Sequence, residues 1–167
     1  NGRSQKFLYP RQAGSLYHTT KVLDTDLIWF YVRNMGLRVT DLMQGPVYGF
    51  MTSETEQHQV HTHFAYDDIF GTVVNRFMAQ AVCGIPLTVY GKGGQTRGYL
   101  NLIDTLNCVR LACDNPAKSG ELRIFNQFTE TLTVNEIADR VKSAAQELGI
   151  DVRIQNIVNP RQEVENH

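Results

Sequence analysis

The sequence predicts an α/β fold, and three observations carry the prediction. Amphipathic helical stretches alternate with short β-branched runs along the chain. With 42% hydrophobic and 20% charged residues, the 167 residues are ordinary globular material and can bury a sizeable core without disulfides or metal. The first helix passes to the first strand through a tight connection at Gly36, as in α/β units.

Residues 1–14 hold Pro10 and Gly14 but no apolar period, and read as an extended lead-in. Ser15 is placed to cap a helix in which Leu16, Leu23, Leu27 and Phe30 recur at helical spacing, and Gly36 to stop it near Asn34. Residues 37–42 read as a short strand. Residues 44–49 are the loop at its carboxyl end, where open α/β sheets bind ligands. Residues 52–68, polar and rich in Glu and His, read as an irregular excursion. Phe70, Val73, Val74, Phe77, Met78, Ala81 and Val82 then make the apolar stripe of a helix ended by Gly84 and Pro86. Residues 87–90 and 96–100 read as strands joined by a hairpin turn at Gly91-Lys92-Gly93-Gly94, a cluster without the Gly-Lys-Ser/Thr ending of a phosphate loop. Asp104 is the expected cap of a helix running to Cys113, which Asn115-Pro116 closes. Residues 122–125 form a further strand. Thr133-Val134-Asn135-Glu136 is a capping box, and Val134, Ile137, Ala138, Val141, Ala145 and Leu148 line one face of the helix behind it, up to Gly149. Residues 151–157 finish with a strand.

Sixteen Lys and Arg stand against 17 Asp and Glu, so no overall charge draws the chain to nucleic acid or to an anionic membrane, and any phosphate site is local. Cys83, Cys108 and Cys113 are odd in number and form no Cys-x-x-Cys pair, which suits reduced thiols in a cytoplasmic compartment and excludes a zinc ribbon. No apolar run is long enough to span a bilayer, and the first residues lack the apolar region of a signal peptide. His58, His61 and His63, with Glu54 and Glu56, are chemically suited to zinc or nickel, but a loop does not present them rigidly; solvated histidines are the preferred reading, and no metal is expected.

Tyr17 and Lys21 stand at i and i+4 near a helix start, so both side chains leave one face. A neighbouring cation favours phenolate and brings a group of ordinary pKa near 10 into useful range for taking a proton from a sugar hydroxyl. The alternative is a pair that only packs or is solvated.

Residues 15–21 and 40–49 together resemble the extended short-chain dehydrogenase/reductase family that modifies nucleotide sugars. Residues 87–100, residues 125–130 and Asn159-Pro160-Arg161 resemble the branch of that family that makes the sulfonated sugar of sulfolipids, and the resemblance covers nearly the whole chain. It implies that Tyr17 is the catalytic base and that Lys21 holds the nicotinamide ribose while lowering the Tyr17 pKa. Gln44, where many relatives carry Asn, and Val47 face the NAD nicotinamide and the sugar. Thr72 and Asn75 approach the substrate at a helix start. Thr88, Val89 and Tyr90 lie along the uridine. Arg97 and Arg161 clamp the diphosphate, a guanidinium fork matching phosphate oxygens; their residue-level alternative is surface salt bridges.

The implied reaction oxidises UDP-glucose at the sugar 4-position with bound NAD, eliminates water, adds sulfite and returns the hydride. A UDP-glucose 4-epimerase or 4,6-dehydratase is the alternative chemistry, and an inactive binding remnant the alternative class. No Gly-x-Gly-x-x-Gly opens a strand-to-helix turn, and the family's catalytic Thr lies upstream of its Tyr-x-x-x-Lys motif. The expectation is therefore the carboxyl-side portion of such an enzyme. Residues 1–50 are the tail of the Rossmann-type domain with its parallel sheet, and residues 51–167 mainly the smaller α/β substrate-binding domain, with 122–125 returning to the Rossmann sheet. The main NAD-binding half is missing, and the chain alone is expected to be inactive. The resemblance also implies a homodimer through the Tyr17 helix, and a plastid stroma if the source is a plant or alga.

Overall fold

The computed structural model describes residues 11, 13–60, 63–67 and 70–159. The chain divides into two compact units: residues up to 41 with 112–125, and residues 42–111 with those from 126 on.

The first unit is built on α1 (Leu16–Met35). The Ser15 hydroxyl accepts the His18 N–H at 3.2 Å, supplying one of the partners a helix start lacks. At the other end Gly36 adopts φ 65° and its N–H reaches the Val32 carbonyl. Thr25 and Val32 are the buried positions of this helix. The expected stripe instead faces outward, with Leu16 81%, Leu23 54%, Leu27 57% and Phe30 51% exposed. The following strand, β1 (Val39–Gln44), starts at Val39 rather than at residue 37, because the chain around Gly36 is engaged otherwise: its carbonyl accepts from the Ser119 hydroxyl and the Gly120 N–H. Strand β1 pairs with a later strand, here called β5 (Leu122–Gln127). Within this unit the Val39 N–H donates to the Glu121 carbonyl at 3.2 Å and Arg123 donates to the Thr40 hydroxyl at 3.0 Å.

The second unit begins with β2 (Val47–Tyr48), a two-residue strand inside what the sequence presents as loop. Its signal is too short for a periodicity, and it is the sheet that recruits it. The excursion also contains a short helix, α2 (Ser53–Gln57), because Thr52 and Thr55 form a reciprocal capping box that Glu and His content conceals. Helix α3 (Val73–Val82) starts three residues after Phe70: Thr72 is its cap, and Phe70 is 81% exposed instead of joining the stripe. Then follow β3 (Leu87–Tyr90), β4 (Thr96–Asn101), α4 (Leu102–Asp114), β5, β6 (Glu130–Thr133), α5 (Val134–Glu147) and β7 (Ile154–Ile157). Helix α4 starts ahead of Asp104, which lies in its first turn; the Asn101 side-chain oxygen takes the Ile103 N–H in the expected capping role.

Strand β4 lies between β2, to which it runs parallel, and β6, to which it runs antiparallel. Strand β3 pairs parallel with β7, Tyr90 opposite Ile157. The glycine cluster is therefore not a hairpin: β3 and β4 go to different sheets. Its conformation is set by Gly93, at φ 73°, whose carbonyl accepts the Asn135 N–H at 3.1 Å while the Asn135 side chain donates to the Lys92 carbonyl at 3.0 Å. A Cβ at position 93 would run into Asn135 and Val89. The turn is thus docked on the start of α5.

Alternation decides which faces are buried. Leu87 and Val89 of β3 are fully buried, and with Val74, Phe77 and Ala81 of α3 and Ile137, Ala138 and Ala145 of α5 they form the core, closed by Tyr99, Leu132 and Val152. The Thr133 capping box fixes α5 as expected, the Thr133 hydroxyl accepting the Glu136 N–H at 3.2 Å and the Glu136 carboxylate accepting the Thr133 N–H at 2.7 Å.

Candidate functional site

On α1 the Tyr17-x-x-x-Lys21 spacing brings the ammonium to 5.5 Å from the Tyr17 ring centroid. Lys21 also pairs with Asp24 at 3.4 Å, and the His18 ring stands edge-on to Tyr17 while its Nδ1 lies 2.7 Å from the Ser15 hydroxyl. Tyr17 is 66% exposed, so its phenol is open to a ligand. This helix is oriented by its base: the Thr25 hydroxyl donates to the Asp41 carboxylate at 3.0 Å, within the first unit.

The second unit contains a polar pocket of about 260 Å³. Thr72 and Arg76 of α3, Tyr90 at the end of β3, Arg97 of β4 and Asn159 line it. Arg76 was not singled out from sequence, although it stands one helical turn after Thr72. Its guanidinium carbon lies 3.9 Å from the Tyr90 ring centroid and its Nη2 donates to the Thr88 carbonyl at 3.0 Å. A guanidinium stacked and tethered in this way is held in a fixed plane. Arg97 is exposed, its Nη1 donating to the Thr96 carbonyl at 2.9 Å. Two guanidinium groups and one carboxylate, that of Asp67, line the pocket, an excess of positive charge suited to a phosphate-bearing ligand.

The remaining sequence-selected residues fall in different places. Val89 points into the core and the whole residue is buried, so in this structure it is not open to a ligand. Thr88, on the opposite face, spends its hydroxyl accepting from Gln80 at 2.8 Å. Asn75 gives its N–H to the Thr72 hydroxyl and its side-chain nitrogen to the Ala65 carbonyl, and it does not line the pocket. Arg161 and His61 lie outside the described residues. Among the described residues no group of three His, Cys, Asp or Glu is arranged to hold a metal ion, and no helix is long and apolar enough to cross a membrane.

Gln44 and Val47 flank a turn that is held from several sides. The Gly45 N–H donates to the Gln127 carbonyl at 3.0 Å, the Pro46 carbonyl accepts the Leu100 N–H at 3.1 Å, and Gly45 packs against the Gly98 carbonyl with no room for a Cβ. A larger cavity of about 480 Å³ lies between α3 and α5, lined by Val74, Met78, Ile137, Val141 and Leu148. Its polar residues satisfy one another: the Tyr48 phenol donates to Glu130 at 2.9 Å and Arg140 donates to Glu130 at 2.8 Å. Arg140, and then Tyr48, hold the Glu130 carboxyl below its ordinary range, while burial foremost, followed by Glu130, raises the Tyr48 phenol. The smaller pocket is the one lined by two guanidinium groups.

No family profile matches the chain. Over all 167 residues it is 50% identical to the UDP-sulfoquinovose synthase of Sulfolobus acidocaldarius, covering 42% of that protein, and it is 53% identical to the chloroplastic UDP-sulfoquinovose synthase of Spinacia oleracea, covering 35%. The chain thus spans less than half the length of these curated relatives. Among solved structures, the UDP-glucose 4-epimerase of Thermus thermophilus in complex with NAD matches with a TM-score of 0.70 at 24% identity, over 98% of this chain and 48% of that one. The dTDP-glucose 4,6-dehydratase of Bacillus anthracis in complex with NAD matches with a TM-score of 0.69 at 17% identity, over 96% and 46%. Along its whole length the chain is therefore similar to a C-terminal part of UDP-sulfoquinovose synthase, and its fold is that of the nucleotide-sugar epimerases and dehydratases.

Proposed function

We propose that the chain is the substrate-binding and proton-transferring portion of an NAD-dependent enzyme that converts UDP-glucose and sulfite to UDP-sulfoquinovose. The observation that carries the reading is the polar pocket in which Thr72, Tyr90 and Arg97, selected from sequence alone, meet Arg76. Arg97, with Arg161, grips the diphosphate; Tyr90 flanks the uracil and ribose; Thr72 closes the phosphate side.

The Tyr17 phenol and Lys21 ammonium, on one turn of α1, suit the nicotinamide ribose and the reacting sugar hydroxyl in donor type. The pyrophosphate seat is not supplied by these 167 residues, which carry no Gly-x-Gly-x-x-Gly. NAD, when bound, supplies the oxidising equivalent and takes it back. Tyr17 Oη receives the proton of the sugar 4-hydroxyl and later restores it. Lys21 binds the ribose hydroxyls. We further propose a dimer through α1, whose Leu23, Leu27 and Phe30 are open to solvent, and a soluble compartment, the plastid stroma in a plant.

Calorimetric titration tests the reading. UDP-glucose and UDP are expected to bind the chain, whereas absence of heat with both ligands refutes the pocket assignment. In the complete enzyme, sulfite consumption dependent on UDP-glucose is expected; formation of UDP-galactose without sulfite uptake would identify an epimerase instead.

A further inference from the structure

The run Phe125-Asn126-Gln127-Phe128-Thr129-Glu130 stands out in the sequence, yet no step assigned above uses its Gln127. This residue ends β5 and is 4% exposed, an uncommon position for a carboxamide, which must find partners for both its ends when buried. Gln127 has them. Its Nε2 donates to the Thr105 carbonyl at 3.3 Å, and its Oε1 accepts from Gln44 Nε2 at 2.7 Å. Its main-chain carbonyl takes the Gly45 N–H as well.

The chain of bonds has one direction. A main-chain carbonyl only accepts, so the nitrogen of Gln127 must face Thr105 and its oxygen must face Gln44. Gln44 in turn must give its nitrogen to Gln127. The side-chain oxygen of Gln44, itself an exposed residue at the carboxyl end of β1, is then left as the end of the amide for a ligand.

We infer that Gln127 is a positioning residue that sets Gln44 as a hydrogen-bond acceptor, so that the ligand group received at Gln44 is a donor, either a sugar hydroxyl or a carboxamide N–H. The inference rests on the proposed role of Gln44 as a ligand contact. It also accounts for Gln rather than Asn at this position: a side chain one methylene shorter does not reach Gln127 with its amide in place.

The relay is tested in the 167-residue chain and its use in the complete enzyme. In nitrogen-15 spectra the Gln44 carboxamide protons are expected to exchange at least about tenfold more slowly than those of an exposed glutamine. In Gln127→Met, which keeps the buried volume, they are expected to move to free-glutamine positions and rates while the backbone spectrum persists. An unchanged Gln44 carboxamide in a folded Gln127→Met overturns the relay. If that variant fails to fold, Gln44→Asn gives the reciprocal reading: the Gln127 carboxamide protons should exchange faster, and unchanged protection overturns the relay equally.

Titration of the complete enzyme with UDP-glucose and, separately, with NAD then reads the use. Gln127→Met and Gln44→Met are each expected to weaken one of these ligands about five- to tenfold, with UDP alone unaffected, and the double variant no more than Gln44→Met alone. A loss confined to UDP-glucose marks a sugar hydroxyl as the donor; one confined to NAD marks the nicotinamide carboxamide. Additive losses overturn the positioning role. No loss for either ligand, with the relay intact in the spectra, overturns the ligand role of Gln44 and leaves the diphosphate pocket assignment standing.

Discussion

Replacing Gly45 by Ala should damage the turn that carries Gln44 and Val47. The new Cβ would overlap the Gly98 carbonyl oxygen and stand 2.8 Å from its carbon, and both belong to the main chain of β4, which has no rotamer to change. Overpacking of this kind costs about 1–3 kcal/mol. Relief requires the turn to lift from β4, which breaks the Gly45 N–H to Gln127 and Leu100 N–H to Pro46 bonds; at about 1 kcal/mol each these bring the total to about 4 kcal/mol. For a chain of this length that corresponds to a fall in Tm of about 10 °C. Urea and thermal unfolding followed by circular dichroism read it directly. Gly94→Ala is the control, since a Cβ there meets nothing within 4 Å, and its stability should stay within about 0.5 kcal/mol. Gly45→Ala within 1 kcal/mol of the parent would refute the argument that close approach to β4 holds the turn.

Other expectations follow from the same geometry. Glu130→Gln should cost about 1 kcal/mol at neutral pH, the lower end for a charge-assisted bond because Glu130 is 29% and Arg140 61% exposed. The folded-state pKa of Glu130 lies below the unfolded one, so this stability is present above the ordinary carboxylate range and is lost as pH falls through the folded value. The gap between variant and parent should therefore close in acid; a gap that persists at pH 2 would refute the assignment. Arg97→Lys should weaken UDP binding about tenfold in calorimetry, since it retains charge but loses the fork; unchanged affinity removes Arg97 from the diphosphate site. Leu23→Glu with Leu27→Glu should give a monomer in sedimentation velocity if α1 joins two copies, and an unaltered dimer would place the interface elsewhere.

Which features the sequence revealed follows from how local their causes are. The Thr133 box and the Ser15 cap are contacts three residues apart, and both are visible in sequence and present in the structure. Strand β6 and the two residues of β2 exist because β4 offers them edges, a partner far off in the chain, and neither has a periodicity of its own. The glycine cluster looked like a hairpin because its local residues fit one, whereas the decisive contact is with Asn135. The same division runs through the site. Arg97 and Tyr90 were legible as motif residues, while Arg76 matters through its stack on Tyr90, and Gln127 through bonds to residues 44 and 105 that no spacing announces.

The parallel pairing of β3 with β7 gives the pocket a temporal property. Thr72, Arg76 and Tyr90 leave the ribosome early, but the wall that includes Asn159 arrives only after β7 has been synthesised and has docked, fixing the Gly91 N–H to the Ile157 carbonyl. A nascent chain lacks the Asn159 side of the pocket. A nucleotide-sugar retained there would favour chains in which β7 has already paired with β3 over those in which it has not.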